Sequence, residues 1–154
     1  MLHYTSLLFI SNAIHGGLVC NYVVEYLLMC LVGTSLIHHS KYYDIYIGKK
    51  MIHYADITLV YTAFLVSLYN IYHIYRVIGL VYTVYLNIVF LSISAAIGIT
   101  TAYFEHNLIK YKLNWRHFHV FFHVFGCIGG HLLLYNYSLA FPYKCYEICK
   151  DLRT

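Results

Sequence analysis

Four long apolar runs, about residues 18–38, 54–72, 77–101 and 117–137, dominate this chain. Each is close to the roughly 20 residues that a helix needs to cross the hydrocarbon of a bilayer. No water is present there to satisfy a backbone amide, so a spanning segment must be helical unless strands close into a barrel. The runs show no sustained period-two alternation, which argues against the barrel. The expected fold is all-α: a polytopic membrane helix bundle of about four transmembrane helices in one domain, residues 1–154. Composition agrees, because only 10% of the residues are charged, against roughly 25% in soluble domains. The formal charge of +4 comes from Lys and Arg in the connections and makes no basic face, so nucleic acid is not an expected partner.

Residues 2–14, LHYTSLLFISNAI, are apolar but too short to span. They are expected to form a short helix that is interfacial or partly inserted, separated from the first span by Gly16-Gly17. Ser11-Asn12-Ala13 also offers small residues at cleavage-like spacing, so a removed signal is the competing reading. Glu25 falls inside the first span, where an acid is costly unless neutral, paired or facing a cavity; an inward-facing, protonated carboxyl is expected. Cys20, Cys30 and Cys127 lie in apolar segments as small hydrophobes, and the odd total of five cysteines gives no disulfide framework.

Four crossings put the connections 39–53 and 102–116 on one side of the membrane. That side carries Lys41, Lys49, Lys50, Lys110, Lys112 and Arg116, against Arg76, Lys144, Lys150 and Arg153 on the other. The positive-inside rule therefore leans toward a cytoplasmic location for it.

Three polar stretches meet at this side: TSLIHHS (34–40), HYADI (53–57) and WRHFHVFFHVFGCIGGH (115–131). His119 and His123 are four apart and share one helix face, where they can chelate a single cation, while His117 points nearly opposite. Three neutral histidines with one open position form the catalytic zinc arrangement, in which the metal acidifies a bound water. The assignment is His39, His119 and His123 as zinc ligands, with His38 competing for the place of His39. Asp56 can accept the water's proton or orient a ligand, and Ser35 can hold a developing oxyanion. His53, His73, His106 and His117 have solvated interfacial positions as their default. His131, two turns deeper than His123, is expected to hydrogen-bond a neighbouring helix and could feed protons.

The order Ser35-x3-His39, Asp56 seventeen positions on, and His119-x3-His123 resembles hemolysin III and the progestin and adipoQ receptor (PAQR) family. The stretches SLIHHS, KKMIHYADI and HVFFHVF carry the likeness. That family lies within a wider superfamily that includes the alkaline ceramidases. The resemblance implies a zinc-dependent hydrolase of lipid amide or ester bonds, with a membrane lipid as substrate or ligand. Family members have seven crossings, so this chain is expected to be a shortened form. Losing a pair of helices preserves sidedness, and a homo-oligomer could restore the missing wall. The alternatives are a non-catalytic receptor or remodelling protein with a structural zinc, and a haem-binding electron carrier. Cysteines placed at Lys41 and at Lys112 should react alike with an impermeant maleimide, from the cytoplasmic side, and opposite labelling of the two would refute the four-pass topology.

Overall fold

The computed structural model describes residues 5–38, 40, 48–107 and 115–144. Among them are five helices and no strand: α1 (Leu8–Leu18), α2 (Tyr22–His38), α3 (Lys49–Ile78), α4 (Tyr82–Asn107) and α5 (Trp115–Ala140). Three segments, Lys50–Ile78, Tyr82–Thr101 and Phe118–Ala140, are long and apolar enough to cross a membrane. At 17 residues α2 is shorter, about 25 Å at 1.5 Å per residue. The all-α membrane bundle is the observed architecture.

α1 packs against α2 and α5 as part of the bundle. It packs antiparallel to α2 as a hairpin, and its Phe9 and Ala13 join Val24, Leu28, Leu31 and Val32 of α2 and Leu134 of α5 in one core cluster. Gly16-Gly17 does not break the helix but lies in its last turns, where α2 crosses closely. A Cβ on Gly16 would sit 3.1 Å from the Glu25 backbone nitrogen. Asn21 N–H donates to the Gly16 carbonyl (2.8 Å) and Cys20 N–H to that of Gly17 (3.1 Å), closing the turn. Cys20 holds a left-handed φ of 56° there, a conformation that a side chain other than glycine rarely adopts. Cys20 is also disulfide-bonded, which corrects its reading as a small hydrophobe. Cys30 and Cys127 are free thiols, so its partner lies outside the described residues.

Because α2 begins only at Tyr22, Glu25 stands in its first turn instead of mid-span. An acid there meets the positive end of the helix dipole, and its carboxyl lies over Gly17 of α1. The α3–α4 break likewise falls later than expected. Arg76 remains helical, its guanidinium donating to the Tyr72 hydroxyl (3.0 Å), so a long cationic side chain sits at the helix end without ending it. The stop comes at Gly79, whose φ of 74° suits glycine.

The second core cluster joins Ile71 and Ile74 of α3, Val84 and Leu91 of α4, and Leu133, Tyr137 and Ala140 of α5. Helix α5 thus belongs to both clusters and touches α1, α3 and α4. Its glycines permit this: Gly126 and Gly129 face Ser94 and Leu91 of α4, and Gly130 faces Asn12 of α1. Polar side chains fasten the same interfaces. Asn87 Nδ2 donates to the Gly129 carbonyl (2.6 Å), Thr83 Oγ1 to Asn136 Oδ1 (2.6 Å), Asn12 Nδ2 to the Cys127 carbonyl (3.1 Å) and Asn21 Nδ2 to Asn70 Oδ1 (3.1 Å). Without a hydrophobic driving force between helices, close packing and such bonds hold a membrane bundle together. By contrast α3 and α4, adjacent in sequence, barely touch, and a cleft opens between them.

Gly16→Leu should destabilise the bundle by about 1–3 kcal/mol, because the neighbouring atoms are backbone and cannot rotate away. Gly33→Ala, with nothing within 4 Å of a new Cβ, should instead stabilise by about 0.5–1 kcal/mol. Unfolding in detergent, followed by helical circular dichroism, reads both; a loss for Gly33→Ala equal to that for Gly16→Leu would contradict the hairpin packing.

Candidate functional site

The last turns of α2, the early turns of α3 and the first turns of α5 end at one side of the bundle. The hairpin brings the start of α1 to the same place. Ser35 and Thr34 come from α2, Asp56 from α3, and His119 and His123 from α5. Four of the five residues singled out in the sequence, Ser35, Asp56, His119 and His123, line one small cavity of about 30 Å³. It has room for a single water-sized group. Phe9, Leu31, Val60 and Phe122 supply its apolar wall. His39 lies outside the described residues.

The i, i+4 spacing on α5 sets the two imidazoles 4.7 Å apart, centroid to centroid, at 66°. Thr5 Oγ1 contacts His123 Nδ1 at 2.8 Å. Ser35 Oγ and Ser6 Oγ are 2.9 Å apart and buried. Asp56, also buried, accepts the Thr34 hydroxyl at Oδ1 (3.1 Å). Each chemically capable side chain is therefore held by a neighbour, and burial makes those contacts matter because an unpaired polar group in this setting is costly.

A second, larger cavity of about 310 Å³ adjoins the first. Phe9, Leu31, Asp56, Val60, His119 and Phe122 line both. The larger space occupies the cleft between α3 and α4, and its walls are almost wholly apolar, from Leu28 and Phe64 to Leu91 and Ile99. At the polar end stand His38 and His53, their rings stacked at 5.0 Å. His53 is therefore a cavity residue and not merely an interfacial one, which corrects its default reading. His38 has the placement expected of a contender for the third imidazole.

The donor types suit zinc: two imidazoles and a carboxyl border a water-sized space, with His38 and His53 next to it. Among the described residues, no three His, Cys, Asp or Glu side chains converge closely enough to hold an ion. Comparison of the chain with protein-family models, curated proteins and solved structures finds no match.

Sequence reasoning missed Thr5, Ser6, Thr34 and His53. A pair of hydroxyls in an otherwise apolar N-terminal segment was the available signal for the first two, but only the hairpin turn places them opposite Ser35 and His123. Thr5→Val keeps the shape and removes the hydroxyl. It should cost about 1 kcal/mol and change the tautomer balance of His123 in ¹⁵N NMR spectra; an unaltered His123 signal would disprove the contact.

Proposed function

We propose that this chain is a zinc-dependent integral membrane hydrolase, similar to the hemolysin III and PAQR family, that cleaves an amide or ester bond of a membrane lipid. The observation that supports it is the shared cavity: two imidazoles, a buried carboxyl and a buried hydroxyl border one water-sized space, which leads into an apolar cleft. His119 and His123 would hold the metal, together with a histidine from the end of α2, His39 or His38. Zinc bound there supplies Lewis acidity and a water acidified to near neutrality.

The chain's own groups perform the remaining work. Thr5 fixes the ring of His123, as partners outside the ligand shell commonly do. Asp56 takes up the proton that the nucleophilic water loses, and the Thr34 hydroxyl keeps its carboxyl oriented. Ser35 donates its hydroxyl hydrogen to the carbonyl oxygen as negative charge develops, with the Ser6 hydroxyl donating to Ser35 Oγ to keep it in place. The apolar cleft between α3 and α4 holds a hydrocarbon chain and excludes water from the scissile bond, which strengthens each electrostatic contact.

A second reading is a structural zinc clamp in a non-catalytic receptor or remodelling protein. The Thr34–Asp56 and Ser6–Ser35 contacts favour it, since they tie down both groups that hydrolysis would use.

Purified protein should retain about one zinc per chain through dialysis, and His123→Ala should lose it. Equal, negligible zinc in both proteins would end the proposal. Asp56→Asn should keep the zinc yet lower hydrolysis of a fluorogenic lipid amide by about 10²-fold or more. An unchanged rate, or biological activity intact in Asp56→Asn and Ser35→Ala, would favour the clamp.

A further inference from the structure

Cys20 is disulfide-bonded, yet the candidate site makes no use of it, and it stands where a cysteine is least expected. The end of α1 closes in the pattern that usually takes glycine. Asn21 N–H reaches back to the Gly16 carbonyl and Cys20 N–H to that of Gly17, with Cys20 itself at a φ of 56°. Glycine holds that left-handed position without strain, whereas a side chain crowds the backbone. What cysteine adds there, and glycine cannot, is a thiol. The residue is buried, so the bond it makes is shielded from passing reagents.

Position narrows the partner. The chain has five cysteines; Cys30 and Cys127 are free, which leaves Cys145 and Cys149. Val19, the neighbour of Cys20, packs against the cluster that holds Ile74, Tyr137 and Ala140, as does Phe141 just past α5. The α1–α2 turn therefore lies beside the end of α5, and Cys145 follows Lys144, the last described residue of that end. The connections on the site side, 39–53 and 102–116, hold no cysteine. Apart from Cys30 and Cys127, which lie within α2 and α5, the cysteines all belong to the opposite end.

We propose that a disulfide from Cys20 to Cys145 or Cys149 ties the α1–α2 turn to the segment after α5, and that this end of the bundle faces an oxidising compartment while the candidate site opens to the cytoplasm. The bond forms by thiol–disulfide exchange: an oxidised disulfide carrier takes two electrons and two protons from the two thiols and leaves as a dithiol. Such bonds persist outside the cytoplasm, where glutathione and thioredoxin do not keep thiols reduced. The same orientation puts the end richer in Lys and Arg in the cytoplasm, as the positive-inside rule asks. Sulfur and charge, two independent features of the chain, thus give one direction. The tie closes a loop that spans most of the chain, which restricts the unfolded state. It also secures α1, the helix that follows Thr5 and Ser6, in the bundle.

Peptide mapping of the full chain, made in a eukaryotic membrane and alkylated before any reductant is added, provides the test. Trypsin should release residues 1–41 joined to residues 145–150, and reduction should separate them. Of Cys145→Ser and Cys149→Ser, the variant that loses the joined species names the partner. Cys20→Gly supplies the residue that this backbone favours, so the fold survives while the joined species disappears. Dithiothreitol should lower the Tm of the wild type and leave that of Cys20→Gly unmoved. Glycan transfer in microsomes reads the orientation: an Asn-Gly-Thr acceptor on a tail appended after Thr154 should be glycosylated, and the same acceptor inserted in the 39–53 connection should not. Cys20 recovered as a free alkylated thiol, or joined only in a reductant-sensitive dimer, would overturn the tie. Glycosylation of the 39–53 acceptor, or a tail left bare, would overturn the orientation. Zinc retention by His119 and His123 is measured apart from both, so the proposed function stands or falls separately.

Discussion

Inside a bilayer a polar group finds no water, so every amide, hydroxyl and imidazole of a spanning chain must be satisfied by another part of the protein. The backbone meets that demand by coiling into helices. Side chains can meet it only across helix boundaries, and that requirement decides which faces touch. Asn12, Asn21 and Asn87 each bind an acceptor on another helix, and the glycines of α5 let those helices approach closely enough. The candidate site obeys the same rule. Ser35, Asp56 and His123 are each held by a hydroxyl from another part of the chain, which restrains their orientation as well as stabilising them.

Helix α5 organises the molecule because it carries two kinds of information at once. Its small residues accept α4 and α1, while a ladder of His123, Cys127 and His131, recurring every fourth position, faces the seam with α1. At that seam Thr5, just ahead of α1, stands at one end and Ser11 and His15 of α1 stand toward the other. A short N-terminal helix thereby serves two polar clusters. Removing the N-terminal segment and α1 would take Thr5 from His123 and Ser11 and His15 from His131. The hairpin turn at Cys20, disulfide-bonded and left-handed in backbone, fixes which part of α1 meets which rung.

The cleft between α3 and α4 follows from the same economy of contacts. These helices are joined by a short link after Gly79, yet they splay apart, and α4 directs its polar side chains to α5. Thr83, Asn87 and Ser94 all bond in that direction. The space left between α3 and α4 is lined by apolar residues and ends at Asp56, His38 and His53.

Hydrophobic run length alone determined that this chain is an all-helical membrane bundle, since no other secondary structure satisfies an isolated backbone in hydrocarbon. Helical periodicity was enough to put His119 and His123 on one face, and their places at the end of one apolar run and the start of the next were enough to bring Ser35 and Asp56 to the same end. Helix limits were less legible: Arg76 looked like a break because charge is read as an interface, whereas a long side chain can reach a tyrosine without ending the helix. Tertiary structure alone decided the course of α1. A 13-residue apolar segment is compatible with lying on the surface, with insertion or with removal, and nothing local distinguishes them. Its packing against α2 and α5 made Thr5 and Ser6 part of the candidate site and set His15 against His131, because a contact between residues far apart in the chain is fixed by packing and leaves no periodic trace in the sequence.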